Sequence, residues 1–261
     1  MLGILFFVIC FMASVVGAIC GIGGGVIIKP LLDTFGIYDV ATISFLSGCT
    51  VLAMTTYSVI KSKMSANASV ETGTVLPLGV GAALGGLLGK SLFSYIKSSG
   101  GNPDLVGLIQ ALCLMIVTFG TLIYTLMKRH IKTFQIDSFL MKAVIGTILG
   151  VLSSFLGIGG GPINLVVLFF FFSMGTKEAA ENSLYIIFFS QVTSLISTIV
   201  TASVPEFDMF ILLLMVLGGI IGGICGRAVN KKIREITVDR LFIALMLVMI
   251  LINAYNIYQF I

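Results

Sequence analysis

Hydrophobic residues occur along this chain in long runs that short polar stretches separate. Such runs cover 2–20, 74–96, 105–127, 140–157, 209–225 and 241–261. A run of about 20 apolar residues, coiled as an α-helix at 1.5 Å per residue, matches the ~30 Å hydrocarbon core of a lipid bilayer. The pattern therefore predicts an all-α polytopic membrane protein that lies in a lipid bilayer.

The same pattern predicts four long helices and one short helix in each half of the chain. The long helices are predicted at 2–20, 40–60, 73–96, 104–127, 138–156, 178–201, 208–228 and 238–260. The short helices are predicted at 22–32 and 162–173, and each would span about half of a bilayer. Each short helix is a half-helix that adjoins a glycine-rich break.

That break has the same sequence in both halves. The pentapeptide Gly-Ile-Gly-Gly-Gly stands at 21–25 and again at 157–161. Further matches follow at nearly the same offset, since 36–44 aligns with 175–183. A glycine-spaced segment aligns as well, pairing Gly85 with Gly222, Gly89 with Gly226 and Lys90 with Arg227. The chain is therefore predicted to be a tandem duplication.

The two predicted repeats span 1–130 and 135–261, with a basic cytoplasmic linker at 131–134, and together they form one transport domain. Positive charges decide their orientation. If each repeat crosses the membrane an even number of times, the Lys and Arg residues are distributed between the two sides of the membrane without a clear bias. If each crosses an odd number of times, all but Lys29, Lys90 and Lys97 face one side. Cytoplasmic loops carry the excess of Lys and Arg. We therefore predict inverted-topology repeats in the cell membrane, with N- and C-termini both non-cytoplasmic and with half-helices that turn the chain back.

The two pentapeptides are predicted to interrupt helices, since each glycine costs about 1 kcal/mol of helix propensity. Irregular backbone survives inside a membrane only where protein or water covers it. A new helix after each break exposes free N–H groups and the positive end of its dipole, and glycine lets an anion approach them. Broken helices at matching positions of inverted repeats indicate a substrate site. We predict that the anion binds at Gly23, Gly24, Gly25, Gly159, Gly160 and Gly161.

Other glycines are predicted to serve helix packing. They recur every fourth residue in the third long helix of each repeat, at Gly81, Gly85 and Gly89, and at Gly218, Gly222 and Gly226. Small residues at this spacing let membrane helices approach each other closely.

Polar side chains near each break are further candidates for the site. Aligned hydroxyls share one face of the helix that follows, pairing Ser44 with Ser183, Thr55 with Ser194 and Ser58 with Ser197. The alternative is that these hydroxyls bond back to the carbonyl four residues earlier. We predict that the anion site is lined by Ser44, Ser183, Ser190, Asn164, Asn182 and Gln191.

Few charged groups fall inside the predicted helices. Lys29 is interpreted as an interface lysine that reaches toward the lipid head groups, with a substrate-facing charge as the alternative. Glu181, about one turn into its helix, is the candidate coupling acid. A single histidine, His130, and carboxylates at helix ends favour neither a metal site nor acid–base catalysis. We expect no enzyme activity and no cofactor. Anionic lipid, rather than nucleic acid, accounts for the net charge of +4.

The duplicated pentapeptide, with Pro162 after its second copy, and the glycine-spaced helix ending in Lys90 or Arg227 resemble the sulfite exporter TauE/SafE family. This family is also called the toluene-sulfonate uptake permease family, and the resemblance covers essentially the whole chain. It implies transport of small sulfur-containing anions such as sulfite, sulfonates or thiosulfate.

We interpret the chain as a secondary transporter that works by alternating access. A coupling proton or sodium ion and a homodimer are expected as candidate partners. Two alternatives stay open at this point: a passive anion channel and a non-transporting membrane scaffold subunit.

Overall fold

The computed structural model describes residues 2–64, 72–100 and 103–260 of the chain. Within this part of the chain, ten α-helices account for almost all of the structure. Their bounds are α1 Leu2–Cys20, α2 Gly25–Phe35, α3 Val40–Lys63, α4 Thr72–Gly100, α5 Pro103–Met127, α6 Phe139–Leu156, α7 Pro162–Phe172, α8 Thr176–Val200, α9 Met209–Lys232 and α10 Glu235–Phe260.

Eight of these helices are long and apolar enough to cross a membrane, and α2 and α7 are the two short ones. The predicted all-α architecture is confirmed at this level, with four long helices and one short helix in each half. The short helix predicted at 22–32 instead covers Gly25–Phe35. The backbone at Gly21 and Gly23 has a φ of 73°, which a right-handed helix does not allow.

The outside of the bundle is apolar, as a lipid environment requires. Ile116, Leu140 and Leu251 expose 70%, 72% and 71% of their surface. Hydroxyl and amide side chains such as those of Thr118 and Asn182 are buried among the helices instead. This distribution, together with the eight membrane-length helices, makes the chain a multi-pass membrane protein.

The predicted packing role of the spaced glycines is confirmed. Gly81, Gly85 and Gly89 of α4 lie against the backbone of α6, and Gly218, Gly222 and Gly226 of α9 lie against the backbone of α1. A Cβ atom at Gly85 would overlap the carbonyl oxygen of Thr147. These two helix pairs make the most extensive contacts among the described helices. Each joins the first helix of one half to the third long helix of the other.

Contacts along the helices give their relative directions. Helices α1 and α9 are parallel, since Gly218 contacts Phe7 and, two turns further along both helices, Gly226 contacts Val15. The pair α4 and α6 is parallel in the same way. Helices α3 and α8 are antiparallel. Gly48 contacts Gln191, whereas Ser62 near the end of α3 bonds Glu181 near the start of α8. Helices α5 and α10 are antiparallel too, because Gly107 contacts Phe260.

The segment that joins the two halves packs along the end of α7. The backbone N–H of Phe134 donates to the Phe170 carbonyl at 2.7 Å, and that of Ile136 donates to the Phe171 carbonyl at 3.1 Å. The last carbonyls of a helix have no partner within it. The joining segment therefore satisfies part of the end of α7.

Candidate functional site

The two glycine breaks contact each other. Gly25, which begins α2, lies against the carbonyl of Ile158 in the second break. The side chain of Val51 contacts both Gly25 and Gly159, and that of Ile187 contacts both Gly23 and Gly160. Val51 and Ile187 lie about halfway along α3 and α8. Because α3 and α8 are long enough to cross a bilayer, the breaks lie near the middle of the membrane.

Glycine is what allows the backbone to turn at these points. In the second break, φ is 73° at Gly159 and 149° at Gly160, and side chains disfavour such values. The new helix α7 then begins with Pro162 as its first residue. Proline is suited to that position, since the first N–H of a helix has no partner within it.

A polar cavity lies beside the second break. Ser44 of α3, Gln191 of α8 and Gly157 line it, together with Ser154 of α6 and Lys90 of α4. The other described residues that line it are Phe45, Gly48, Phe93, Ser194, Leu195 and Thr198. The cavity measures about 20 Å³, which is room for roughly one water molecule. A sulfur oxyanion is larger than that. Its binding would therefore widen the cavity.

Several predicted site residues come together at this cavity. Ser44 and Gln191 line it, and Gly159 contacts the Gln191 side chain. Ser190 lies next to it, with its Oγ 3.4 Å from Ser154 Oγ. Ser44 Oγ is buried and has no hydrogen-bond partner among the residues that the structure describes. The cavity therefore offers a neutral hydroxyl donor to a ligand.

Other predicted site residues do not line this cavity. Gly23 and Gly25 contact the apolar side chains of Val51 and Ile187, and Gly24 lies beside Ser14. Gly160 and Gly161 lie close to Ile187 and Ile158. The structure therefore brings the second break to the cavity, while the first break is covered by the apolar side chains of Val51 and Ile187 and, at Gly24, by Ser14.

The remaining predicted site residues, Asn164, Asn182 and Ser183, are buried away from this cavity. Asn164 lies in the first turn of α7, and its Oδ1 accepts no hydrogen bond from the described part of the chain. Asn182 donates to the Glu178 carbonyl at 2.9 Å. Ser183 is fully buried. None of the three is in the wall of the cavity, as far as the described residues define it.

For part of the hydroxyl stripe, the alternative explanation is correct. Thr55 donates to the Val51 carbonyl at 2.8 Å, and Ser58 donates to the Met54 carbonyl at 3.0 Å. These bonds to the preceding turn occupy the hydroxyl protons. Thr55 and Ser58 are therefore not ligand donors in this structure.

Sequence reasoning missed several residues of the cavity wall, among them the polar side chains of Ser154, Thr198 and Lys90. Ser154 lies one turn before the second break, and Lys90 ends the glycine-spaced segment of α4. The glycine spacing of that segment indicates helix packing and gives no sign that its final lysine lies at a cavity. The Lys90 ammonium lies 5.0 Å from the centre of the Phe93 ring. A cation therefore stands in the cavity wall.

Glu181 belongs to a cluster at the other end of α8. Its Oε1 accepts hydrogen bonds from Ser62 Oγ at 2.5 Å and from Arg227 Nη2 at 2.9 Å. Arg227 also donates to the Ser58 carbonyl at 2.8 Å. This Glu181 cluster ties together the end of α3, the start of α8 and the end of α9.

The interpretation of Lys29 as an interface lysine is wrong. Lys29 is 3% exposed, and its Nζ donates to Asp33 Oδ2 at 2.7 Å. The two side chains are one helical turn apart on α2, and the Asp33 side chain is 6% exposed. The helices packed around α2 bury this pair, so Lys29 does not reach the membrane surface.

The fold and the site define a class of protein. Eight membrane-length helices surround two broken segments that meet at mid-depth, beside a small polar cavity with a cation in its wall. Interrupted helices around a polar site near the bilayer midplane are typical of membrane transporters.

The family model described as "Sulfite exporter TauE/SafE" matches residues 6–252. The chain belongs to this family of membrane transporters and is not an enzyme. It is 26% identical over 273 residues to the "Probable membrane transporter protein YunE" of Bacillus subtilis (strain 168), an alignment that covers 97% of this chain and 96% of that protein. No solved structure matches the chain significantly.

Proposed function

We propose that this protein is a secondary transporter of small sulfur-containing anions such as sulfite, sulfonates or thiosulfate in the cell membrane. The observation that carries the proposal is the contact between the two glycine breaks, halfway along α3 and α8, beside a polar cavity. The family description, which names sulfite, supports the choice of anion. The substrate site is the cavity, lined by Ser44, Ser154, Gly157, Gln191 and Lys90.

The lining suits an oxyanion. Ser44 and Ser154 can donate hydroxyl protons and Gln191 can donate amide protons, and the lining residues that the structure describes include no negative group that would repel the ligand. Lys90 supplies one positive charge. Charge-assisted hydrogen bonds to oxyanions are stronger than neutral ones. An anion with three oxygens on sulfur would use several of these donors at once.

The proposed architecture is a pair of inverted repeats. Two observations support it. The corresponding helices α3 and α8 are antiparallel, as are α5 and α10. The contact between α1 and α9 has its equivalent in the contact between α6 and α4. In this arrangement both termini face one side and the linker faces the other, and the excess of Lys and Arg on the linker side makes that side cytoplasmic.

The two ends of the proposed pathway differ in a way that supports alternating access. Lys90, at one end, lines the cavity, whereas its aligned counterpart Arg227 is held in the Glu181 cluster at the other end. Ser62 and Ser58 complete that second contact. In the proposed cycle, this arrangement is the state closed by the Glu181 cluster. Opening the cluster while the Lys90 end closes would expose the site to the opposite side.

Binding and counterflow test the proposal together. Purified protein is heated with sulfite, thiosulfate, methanesulfonate or acetate, and we expect the sulfur anions to raise the melting temperature more than acetate does. In proteoliposomes, an excess of unlabelled anion inside should accelerate uptake of the labelled anion. Binding without counterflow would favour a channel. No binding of any anion would favour a scaffold subunit and would overturn the proposal.

A further inference from the structure

We propose that Asp33 binds the coupling proton when the anion binds, with Lys29 as the group that links the two events. The inference rests on the proposed function, because it concerns the same cavity. It starts from the ion pair between Lys29 and Asp33, which is buried inside a transport protein and plays no part in the anion site described above.

The first step is the position of Lys29 between two cavities. A Cβ atom on Gly157, which lines the anion cavity, would stand 3.3 Å from Lys29 Cε. Gly157 also contacts Ser44 Oγ. On its other side, Lys29 lines a second small cavity with Asp33, next to Leu156. The ammonium group of Lys29 is therefore near both the anion cavity and the Asp33 carboxylate.

The second step is the environment of Asp33. One of its oxygens, Oδ2, accepts the bond from Lys29, while Oδ1 is buried and has no hydrogen-bond partner among the described residues. The second cavity is lined by Gln110 of α5 and by Asn253 and Asn256 of α10. Gln110 Oε1 also lacks a partner in the described part of the chain. A buried oxygen without a donor is a place where a proton can be accommodated.

The third step is charge. Among the described lining residues of this cavity, Lys29 is the cation that faces Asp33, and Gln110, Asn253 and Asn256 are neutral. Helices α1 and α3 present apolar side chains and the Cys10 thiol to α2. The empty pair has no net charge. Bringing in an anion next to Lys29 would place two negative groups around one ammonium, and this local excess of negative charge is costly in a buried site.

Protonation of Asp33 removes that excess. A proton from water adds to Oδ1, and the carboxylate becomes a neutral carboxylic acid. The Lys29 ammonium then loses its partner and its charge becomes available to the anion through the Gly157 side. One proton therefore enters with each anion, and the two move together. A sodium ion at Oδ1 is disfavoured because it would stand beside the Lys29 ammonium, which lies 2.7 Å from Oδ2.

The test measures anion affinity against pH. The probes are methanesulfonate and thiosulfate, which keep their charge between pH 5.5 and 8. In the wild-type protein, uptake of one proton per anion predicts that Kd falls about tenfold for each unit by which the pH is lowered, wherever Asp33 is ionised before binding. Asp33→Asn resembles the protonated form. We expect its Kd to be independent of pH and at least as low as that of the wild type at pH 5.5.

Asp39→Asn is the matched control. It makes the same change a few residues away, at the exposed N-cap of α3, where asparagine caps as well as aspartate does. Its Kd should follow the wild-type dependence on pH. If the Kd of Asp33→Asn changed with pH as steeply as that of the wild type, the assignment of the proton to Asp33 would be overturned. So would a wild-type protein that binds the probes with a Kd that does not change with pH.

A measurement on the wild-type protein covers the case in which Asp33→Asn does not fold. In weakly buffered detergent solution, binding of methanesulfonate should take up about one proton per anion, as detected with a pH-sensitive dye. In proteoliposomes, a pH gradient should drive accumulation and a sodium gradient should not. No proton uptake, or accumulation that follows sodium, overturns the inference while leaving the proposed transport intact. If neither probe binds at any pH, the proposed function itself fails.

Discussion

Single residues at the breaks have a conformation or a contact that a side chain would disturb. Gly159 has a φ of 73° and lies against Val51 and Gln191. Gly25 has no such backbone constraint, but a Cβ there would overlap the carbonyl oxygen of Ile158. The first break needs glycine at this position because the two breaks touch.

The change Gly25→Ala tests that contact. We expect it to lower the free energy of unfolding by about 1–3 kcal/mol, because the backbone at Ile158 has to move aside. The melting temperature of the purified protein measures the loss. Gly120→Ala in α5 is the control, since its Cβ would meet nothing within 4 Å among the described residues. Equal melting temperatures for Gly25→Ala and the wild type would mean that the breaks are not in contact.

Gln191 is the neutral donor on which the proposed anion site depends most. Gln191→Leu keeps the approximate size of the side chain and removes its amide. We expect Kd for the bound sulfur anion to rise about 10- to 100-fold, since hydrogen bonds to charged groups contribute about 1.5–3 kcal/mol. Titration calorimetry measures the change. The control is Gln259→Leu, at an exposed position of α10, which should bind the anion like the wild type. Unchanged affinity in Gln191→Leu would exclude this cavity as the anion site.

At the scale of elements, the Glu181 cluster holds three helices together at one end of the bundle. Glu181→Gln keeps an acceptor for Ser62 and removes the charge that pairs with Arg227. We expect a loss of about 1–3 kcal/mol in unfolding free energy, measured as a lower melting temperature. Glu178→Gln is the control, because glutamine also serves at this position of the helix cap.

The same variant tests whether Glu181 or Asp33 binds the coupling proton. Because the Glu181 pair lies away from the anion cavity and contacts Arg227 instead, we expect Glu181→Gln to keep the pH dependence of anion binding. A Kd that no longer changes with pH in Glu181→Gln would assign the coupling proton to Glu181, the candidate coupling acid that the sequence indicates.

At the scale of the whole molecule, the proposed inverted repeats determine which side of the membrane the termini and the linker face. An alkaline phosphatase fused after the C-terminus should be active, because that end is expected outside the cytoplasm. The same reporter fused after His130 should be inactive, since the linker is expected inside. Active phosphatase at His130 and inactive phosphatase at the C-terminus would reverse the topology. Equal activity at both would contradict an odd number of crossings in each repeat.

Much of the helical architecture was predictable, because the signals are local. An uninterrupted run such as 105–127 has to form its backbone hydrogen bonds internally in a membrane, and the helix observed there is Pro103–Met127. Pro162 at the start of α7 is equally local. The exact start of α2 was predicted three residues early, because the backbone conformation at Gly23 depends on what packs around the break.

The candidate site was predictable only in part. Ser44 and Gln191 were expected from polarity at membrane depth, and both line the cavity. Ser154 lies one turn before Gly157, so its spacing from the break does indicate this position. No spacing in the sequence indicates that Lys90 of α4 approaches Gly157. Lys29 was misinterpreted, because its position near a helix end says nothing about the helices that cover it.

The sequence by itself determined that this chain spans a membrane, where its long helices lie and that two identical glycine breaks interrupt it, because hydropathy and backbone propensity act over neighbouring residues. Only the tertiary structure decided that the breaks touch, that the second and not the first faces a polar cavity, and that Asp33 is buried beside Lys29. Those facts depend on contacts between residues more than a hundred positions apart. Burial and electrostatic cost belong to such contacts rather than to any residue alone.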